Sequence, residues 1–595
     1  MATSTEPITP IQEPRTTGWF LASLLLATLA TWYAYAQVDR PLTGIDDANI
    51  FLTYGQHLSR GNGFVYYAGG ERVEGFTSLL WTLIGSLCFL VTDHPETLLL
   101  GINIALVGTT LWLVIRFLQT QTLKTTPTDP QASLLVPAVL TWGWCLLNPK
   151  FVIWTTVTLM DSGLWCFAFT AGTLAFAREA SRPQRRTPSS NWILCSYLAL
   201  ALLTRPEAML IGLVWLLCLF IGRLANPRPG PRNPVLQALW ECRAPALGYL
   251  LILVCLTCFR LIYFGYPLPN TYYAKVSPSL LYNLKLGLGY LRGFLLDQWW
   301  AGPACLVMGL LTMRLLINTF RRKPALEGQP ISHAYLEHGL VALATCAVIA
   351  TPVLAGGDHF NLYRFFQTGW PLLLIAGILP LYTWGVGQLS NTPKWLANAL
   401  VILLLVTFCT LQRPWWNQIG PEIQVEFDFA SGGRQLGERL NTLFPADQQV
   451  SLGVITAGGV GFTYQGPLLD LMGLNNVSMG HSSGDRKGNK NHAAFHPDVF
   501  FRLNPDLVDP RLVAIRNAPK VRADLVPAPG SFWDGALQQV HQEQRFQKAY
   551  RPIVIRAPGD REGEARLISC WCKPEIIARL LREGIPVQVL PDSDD

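Results

Sequence analysis

The stretch Gly44-Ile45-Asp46-Asp47-Ala48-Asn49-Ile50-Phe51-Leu52-Thr53-Tyr54 follows the first apolar run of the chain, residues 18–37, by a few positions. Two adjacent carboxylates thus stand at the mouth of a segment long enough to cross a bilayer, where charge is costly to keep. A glycine turn, Gly61-Asn62-Gly63, and the polar run Glu71-Arg72-Val73-Glu74-Gly75 come next. An acidic pair so placed suits catalysis, ion binding or helix capping. Neighbouring side chains point different ways in a regular backbone, so only one of the two faces a given centre.

Half of the 595 residues are hydrophobic and only 14% are charged, against about a quarter in ordinary soluble domains. That composition predicts a polytopic α-helical membrane protein. The net charge of +7 calls for no nucleic-acid partner, because Lys and Arg gather in short loops between apolar spans, where they set orientation. Most of the thirteen cysteines lie inside apolar segments and read as small hydrophobes. Cys570 and Cys572 sit in a polar region; a Cys-x-Cys pair bridges only with strain, so free thiols are expected. Residues 18–36 end in Ala34-Tyr35-Ala36, which suits cleavage, but the preceding positive region is weak and the run is long enough to span. A retained signal anchor is expected.

Residues 1–17, rich in Pro and Thr, are expected to be disordered and cytoplasmic. Spans fall near 18–37, 97–118, 133–148, 161–177, 192–204, 207–222, 244–264, 301–318, 337–355, 369–387 and 394–411, about eleven in all. Residues 76–92 are apolar but short, and are expected to lie in the interface or re-enter. Three basic clusters fix the orientation. They are Arg178, Arg182, Arg185 and Arg186; Arg223, Arg228, Arg232 and Arg243; and Arg314, Arg321, Arg322 and Lys323. With these in the cytoplasm, the first loop (38–96) and the loops at 149–161, 204–207, 265–300 and 356–368 face outward. The transmembrane domain is then 18–411. From 412 to 595 apolar runs shorten and Gly, Pro, Asp and His increase. Strands are expected at 450–455 and 468–474 and helices at 430–440 and 574–583, an extracytoplasmic α/β domain with its own core.

The outward loops hold most of the unusual polar residues: Asp46, Asp47, Arg72, Glu74, Asp161, Arg205, Glu207, Asn270, Lys275, Asp358, His359 and Arg364. A polyprenyl-phosphate sugar would suit such a face, with its tail between helices, its phosphate against Arg or Lys and a carboxylate ready to take a proton. Plainer roles fit each residue singly. Asp161 fits a helix cap, Arg205 and Glu207 an ion pair, and Lys275 and Arg364 cations snorkelling to headgroups. His481, His492 and His496 match no zinc spacing. Gly458–Gly461 lacks a full nucleotide fingerprint.

Taken together, the motifs resemble the bacterial GT-C arabinofuranosyltransferases, similar to the mycobacterial terminal β-(1→2)-arabinofuranosyltransferases. The resemblance rests on the first loop, Thr204-Arg205-Pro206-Glu207, Gly265-Tyr266-Pro267-Leu268-Pro269-Asn270-Thr271-Tyr272-Tyr273-Ala274-Lys275, and Gly356-Gly357-Asp358-His359-Phe360 with Arg364-Phe365. Asp470-Leu471-Met472-Gly473-Leu474-Asn475 and His496-Pro497-Asp498 extend it into the C-terminal region. One departure stands out. Relatives often carry Ser-Gly-Leu-Glu-Thr where this chain has Met160-Asp161-Ser162-Gly163-Leu164-Trp165-Cys166, so the family Glu is absent. The resemblance implies a GT-C fold in a bacterial cytoplasmic membrane, a polyprenyl-phosphate sugar donor and an envelope glycan or glycoprotein acceptor. Asp46 is then the expected base, with Asp47 orienting it or the donor. Arg72, Glu74, Arg205, Glu207, Asn270, Lys275 and Arg364 are expected toward the donor, with Arg205, Lys275 and Arg364 on its phosphate. Asp358, His359, Asn475 and His496 are expected toward the acceptor. A divalent metal is compatible but not required. The alternatives are transfer of another lipid-linked sugar, or a non-catalytic envelope or motility factor that keeps the fold. Mid-membrane charges and inverted repeats, marks of a transporter, are missing from the sequence.

Overall fold

The computed structural model describes residues 17–125, 130–182, 187–227, 233–321, 333–378, 380, 394–484, 486–487, 494–513, 534–558 and 565–590. Residues 1–16, His492, Arg185, Arg186, Arg228, Arg232, Arg322 and Lys323 lie outside them. Among the described residues six helices are long and apolar enough to cross a membrane. They are α1 (Thr17–Val38), α4 (Glu96–Thr125), α9 (Ala208–Ala225), α10 (Pro234–Tyr263), α13 (Ala301–Arg321) and α14 (His333–Leu354). Between α1 and α4 lie α2 (Asp46–Ser59) and the eleven-residue α3 (Leu79–Phe89), packed on each other.

One further pair of apolar helices is sharply bent. α5 (Pro130–Leu146) meets α6 (Pro149–Val152) at an angle of 74°, and α6 continues as the π-turn Ile153–Val157. Pro149 explains the break: it forces Asn148 into extended backbone, and the Asn148 side chain then caps the next turn through the Lys150 amide at 3.1 Å. The other expected spans are helical too. α7 (Ser162–Ser181) carries Arg178 and Glu179 near its end, and α8 (Pro188–Thr204) is 17 residues long. Residues 370–378 form the first turns of the span expected at 369–387.

The bundle has two chemically distinct ends. At one, Arg223 of α9 donates to the backbone oxygens of Arg182 (2.7 Å) and Glu179 (2.9 Å) and pairs with Glu241 of α10 at 3.3 Å, while His333 of α14 meets the Ser181 oxygen. Arg182 and Arg223, one from each of two expected basic clusters, meet here. The opposite end carries the start of α7, the junction of α8 and α9, the end of α10 and the end of α14. That end holds the first loop and the acids discussed below.

The chain leaves the bundle on one continuous 50-residue helix, here labelled α17 (Lys394–Leu443), α11 to α16 being the segments Asn270–Lys275, Leu280–Asp297, α13, α14, Arg364–Gln367 and Trp370–Leu373. The composition change near 412 therefore falls inside a helix. Its far half packs on the end of α1, where Gln424 donates to the Val38 oxygen at 3.0 Å and Arg40 pairs with Asp428 at 2.6 Å. Beyond it a six-stranded mixed sheet has the order β2-β1-β3-β5-β4-β6. The strands are β1 (Leu452–Val454), β2 (Leu468–Asp470), β3 (Leu507–Val513), β4 (Arg551–Pro558), β5 (Ala565–Cys572) and β6 (Val587–Val589). β1 runs parallel to β2 and β3, and the other pairings are antiparallel. Cys570 and Cys572 lie buried and free on β5.

Between β1 and β2 the glycine-rich run forms a short helix, α18 (Gly458–Thr463), wedged between α17 and α2. The glycines permit close approach. A Cβ on Gly458 would stand 1.8 Å from the backbone oxygen of Asp46, and one on Gly459 would stand 2.2 Å from that of Ala430. Gly458→Ala is therefore expected to overpack this junction and cost about 1–3 kcal/mol or more. Gly432→Ala, on an open face of α17 with nothing within 4 Å, is expected to gain about 0.5–1 kcal/mol. Thermal unfolding of the two purified variants checks the pair; equal Tm values would refute the close-approach reading.

Candidate functional site

Asp46 and Asp47 are the first two residues of α2, where carboxylates complement the helix dipole, and α2 has no side-chain cap. Their side chains diverge. Asp46 turns toward the C-terminal domain, its Oδ2 accepting from the Gly458 amide at 3.0 Å and its Oδ1 from the Gly459 amide at 2.8 Å. Burial pushes its pKa up to about 6 in spite of those two amides, and Asp47 and Asp470 add to the rise. Asp47 turns the other way, its Oδ2 3.5 Å from Arg364 Nη1. Burial works against its charge, but Lys275, Arg364 and His359 outweigh burial and hold its pKa below the ordinary value.

Arg364 is delivered by a tight turn after α14. Leu362 and Tyr363 hold left-handed backbone (φ 64° and 54°), a strained conformation for bulky residues. The guanidinium lies over Phe360 at 4.4 Å and Phe365 at 4.9 Å, and pairs with Asp358. Asp358 also accepts from the His359 amide at 2.9 Å and lies 3.1 Å from its ring Nδ1. Burial opposes the charge on Asp358, yet Arg364 and His359 keep it well below the usual carboxylate range. Burial in turn lowers the His359 pKa. Gly357 (φ 70°) allows this turn, since a Cβ there would come 2.6 Å from that of Tyr290.

Two cavities meet here, and Asp47 and Lys275 line both. The larger, about 510 Å³, is also lined by Arg205, Glu207, Asp358 and Arg364, with apolar walls that include Phe76, Met209, Leu268 and Phe365. Leu210, Tyr272, Leu280 and Leu354 belong to its lining and are exposed. The smaller, about 80 Å³, is lined by Asp46, Glu426, Asp470 and His359, among others. In the larger cavity Arg205 donates to Thr77 Oγ1 at 2.6 Å and Asp161 Oδ2 at 3.3 Å, has Glu207 at 3.6 Å, and lies over Trp165 at 4.3 Å. Asp161, at the cap position of α7, makes no capping bond; its carboxylate serves Arg205 instead. Lys275, the last residue of α11, has no hydrogen bond or ion pair at contact distance among the described residues.

Several expected site residues are used elsewhere. Glu74 and Arg260 are each 2% exposed and form a two-pronged ion pair, with Nε–Oε2 and Nη2–Oε1 both at 2.8 Å. That carboxylate is occupied within the protein. Arg72 lies over the Tyr263 ring at 4.8 Å. Asn270 donates to the backbone oxygens of Gly473 (2.7 Å), Leu474 and Asn476, tying α11 to the C-terminal domain. Asn475 donates to Asp470 at 2.9 Å, and His496 faces Ser483 at 3.1 Å. None of these five lines either cavity. Asp46, the expected base, gives both oxygens to backbone amides.

Three residues escaped the sequence reading. Arg260 ends an apolar 30-residue helix, and a charge there is itself a signal that a partner exists. Arg434 joins Asn49 Oδ1 (2.7 Å), Glu96 (2.6 Å) and the Thr43 oxygen (3.1 Å). Glu426 reaches the smaller cavity from α17, and nothing in its helical neighbourhood marks it. Among the described residues no group of three or more His, Cys, Asp or Glu is arranged to hold a metal ion.

One curated relative agrees with the motif resemblance. Over 434 residues the chain is 26% identical to a terminal β-(1→2)-arabinofuranosyltransferase of Corynebacterium glutamicum. The chain is similar to an arabinofuranosyltransferase. The match takes in 69% of this chain and spans 58% of the relative's length. The crystal structure of ArnT from Cupriavidus metallidurans bound to undecaprenyl phosphate superposes with a TM-score of 0.43 at 12% identity, over 93% of this chain and 98% of that one. No family model matches.

The Glu74–Arg260 pair makes a direct prediction. Glu74→Gln leaves a buried guanidinium without its counter-charge and is expected to cost about 3–5 kcal/mol of stability. The apolar double variant Glu74→Leu/Arg260→Met is expected to recover much of that. Tm values of the purified variants decide; an unchanged Tm for Glu74→Gln would show that the pair is not structural.

Proposed function

We propose that the protein is a GT-C membrane glycosyltransferase. It moves a sugar, arabinofuranose in the first place, from a polyprenyl-phosphate donor to a hydroxyl of an envelope glycan or glycoprotein. The reaction takes place at the outer face of the bacterial cytoplasmic membrane. The observation that carries this reading is the larger cavity, where Asp47, Arg205, Lys275, Asp358 and Arg364, far apart in sequence, face one apolar-walled space. Similarity to the arabinofuranosyltransferase supports the choice of sugar. In this reading the lipid tail leaves past Leu210 and Leu280. The phosphate meets Lys275 and Arg364, with Arg205 behind them, and these cations stabilise the charge left on it as the sugar departs. Asp47, kept ionised by the same cations, faces the sugar carbon where positive charge develops. Asp358 positions Arg364, and Asp46 positions Asp47 by fixing the start of α2. The positive-inside rule puts the basic end of the bundle in the cytoplasm, and with it the site and the C-terminal domain outside.

Purified protein supplied with radiolabelled decaprenyl-phosphate arabinose and extracted envelope acceptor is expected to transfer label. Asp47→Asn is expected to lower the rate by at least about 10³-fold, roughly 4 kcal/mol of transition-state stabilisation. Full transfer by both Asp47→Asn and Asp46→Asn would refute the assignment, and transfer only from a lipid carrying another sugar would correct the substrate. For orientation, a cysteine placed at exposed Ser483 is expected to react with an impermeant thiol reagent from outside intact cells. Reaction from the cytoplasmic side alone would invert the topology.

A further inference from the structure

We propose that the smaller cavity receives the acceptor's reacting hydroxyl and that Glu426 takes its proton. The inference rests on the transfer reaction proposed above and adds to it a residue from outside the motifs.

Three observations converge. First, Asp47 and Lys275 line both cavities, so a sugar carbon held beside Asp47 is approachable from either. The larger space has the apolar lining and exposed apolar rim that suit a lipid, which leaves the smaller, carboxylate-lined space for a polar reactant. Second, the other carboxylates of the smaller cavity are committed. Asp46 accepts from two amides. Asp470 accepts from the amides of Met472 (2.8 Å) and Asn475 (2.9 Å) and from Asn475 Nδ2 (2.9 Å). Asp47 is paired with Arg364. Glu426, by contrast, makes no hydrogen bond or ion pair among the described residues. Third, its surroundings raise its affinity for a proton. Burial, then the charges of Asp47 and Asp46, push its pKa up to about 8, with Arg364 pulling against them and Asp358 adding to the rise. Lys275, His359 and Asp470 complete the charged and titratable groups around that space. A base whose pKa lies near the working pH is the effective kind.

The step balances without a further reactant. The acceptor's O–H bond breaks and its proton passes to the Glu426 carboxylate. The oxygen's electron pair forms the new bond to the sugar carbon. Over the whole reaction the bond from that carbon to the phosphate oxygen breaks, and its pair stays on the lipid phosphate.

The test is the pH dependence of kcat for purified protein with lipid-phosphate arabinose and a synthetic arabinofuranoside acceptor. Because the base must be unprotonated, wild-type kcat is expected to rise with pH and level off above about 8. Glu426→Gln is expected to lose at least 10²-fold in kcat at that plateau, to lose the inflection, and to keep the wild-type KM for the donor. Glu426→Asp is expected to retain part of the rate with a displaced inflection. Wild-type kcat and inflection in Glu426→Gln would overturn the role of Glu426 while leaving the transferase reading intact. Absence of transfer by the wild-type protein, from this or any other lipid-phosphate sugar, would overturn both. If Glu426→Gln fails to fold, a wild-type profile without an inflection near 8 overturns the proposal by itself.

Discussion

Two backbone amides, those of Gly458 and Gly459, hold the carboxylate of Asp46, and the layout of the site follows from that contact. It pins the start of α2 to the C-terminal domain. Because consecutive side chains on a helix diverge, it also turns Asp47 toward Arg364, although both carboxylates line the smaller cavity. The amides can reach the carboxylate only because no Cβ stands between the two backbones. Arg434 reinforces the junction from α17 by joining Asn49, Glu96 and the Thr43 backbone.

Around Asp47 the charges sort into paired and unpaired. Arg205 has Asp161 and Glu207; Arg364 has Asp358 and Asp47. Both guanidiniums rest on aromatic faces, which fixes their planes as well as their positions. Lys275 has no contact partner among the described residues, but its charge acts on Asp47 and Asp358 across a mostly apolar cavity. There an arriving anion meets an attraction much stronger than the same charge would exert in water. The arginines are held by contact partners, and the lysine is left with its donors open to a ligand. Among the acids, Asp46, Asp358 and Asp470 are engaged, whereas Glu426 has no contact partner among the described residues.

The helical bundle was legible in the sequence because apolar length is a local property, and six of the expected spans fall on helices long and apolar enough to cross a membrane. The acidic pair at 46 and 47 was legible for the same reason, being adjacent and placed just after a span. Pairing was not. Glu74 sits among donor-like residues in the first loop, but its partner is Arg260, some 186 positions away, and only the folded loop brings them together. Asn270 looked like a ligand contact and is a tie to the Gly473–Asn476 backbone. Gly458–Gly461 read as a weak nucleotide motif; its glycines serve close packing. Glu426 was invisible because a single Glu on a long helix carries no signal until its neighbours are known.

Binding of an anionic lipid phosphate inside the larger cavity is the central requirement of the proposed reaction. An experimental density map of the protein purified with a polyprenyl-phosphate donor tests this most directly. Phosphate density is expected within hydrogen-bonding distance of Lys275 and Arg364, with the tail leaving past Leu210 and Leu280. A donor resolved on another face of the bundle, with this cavity holding no phosphate, would contradict it.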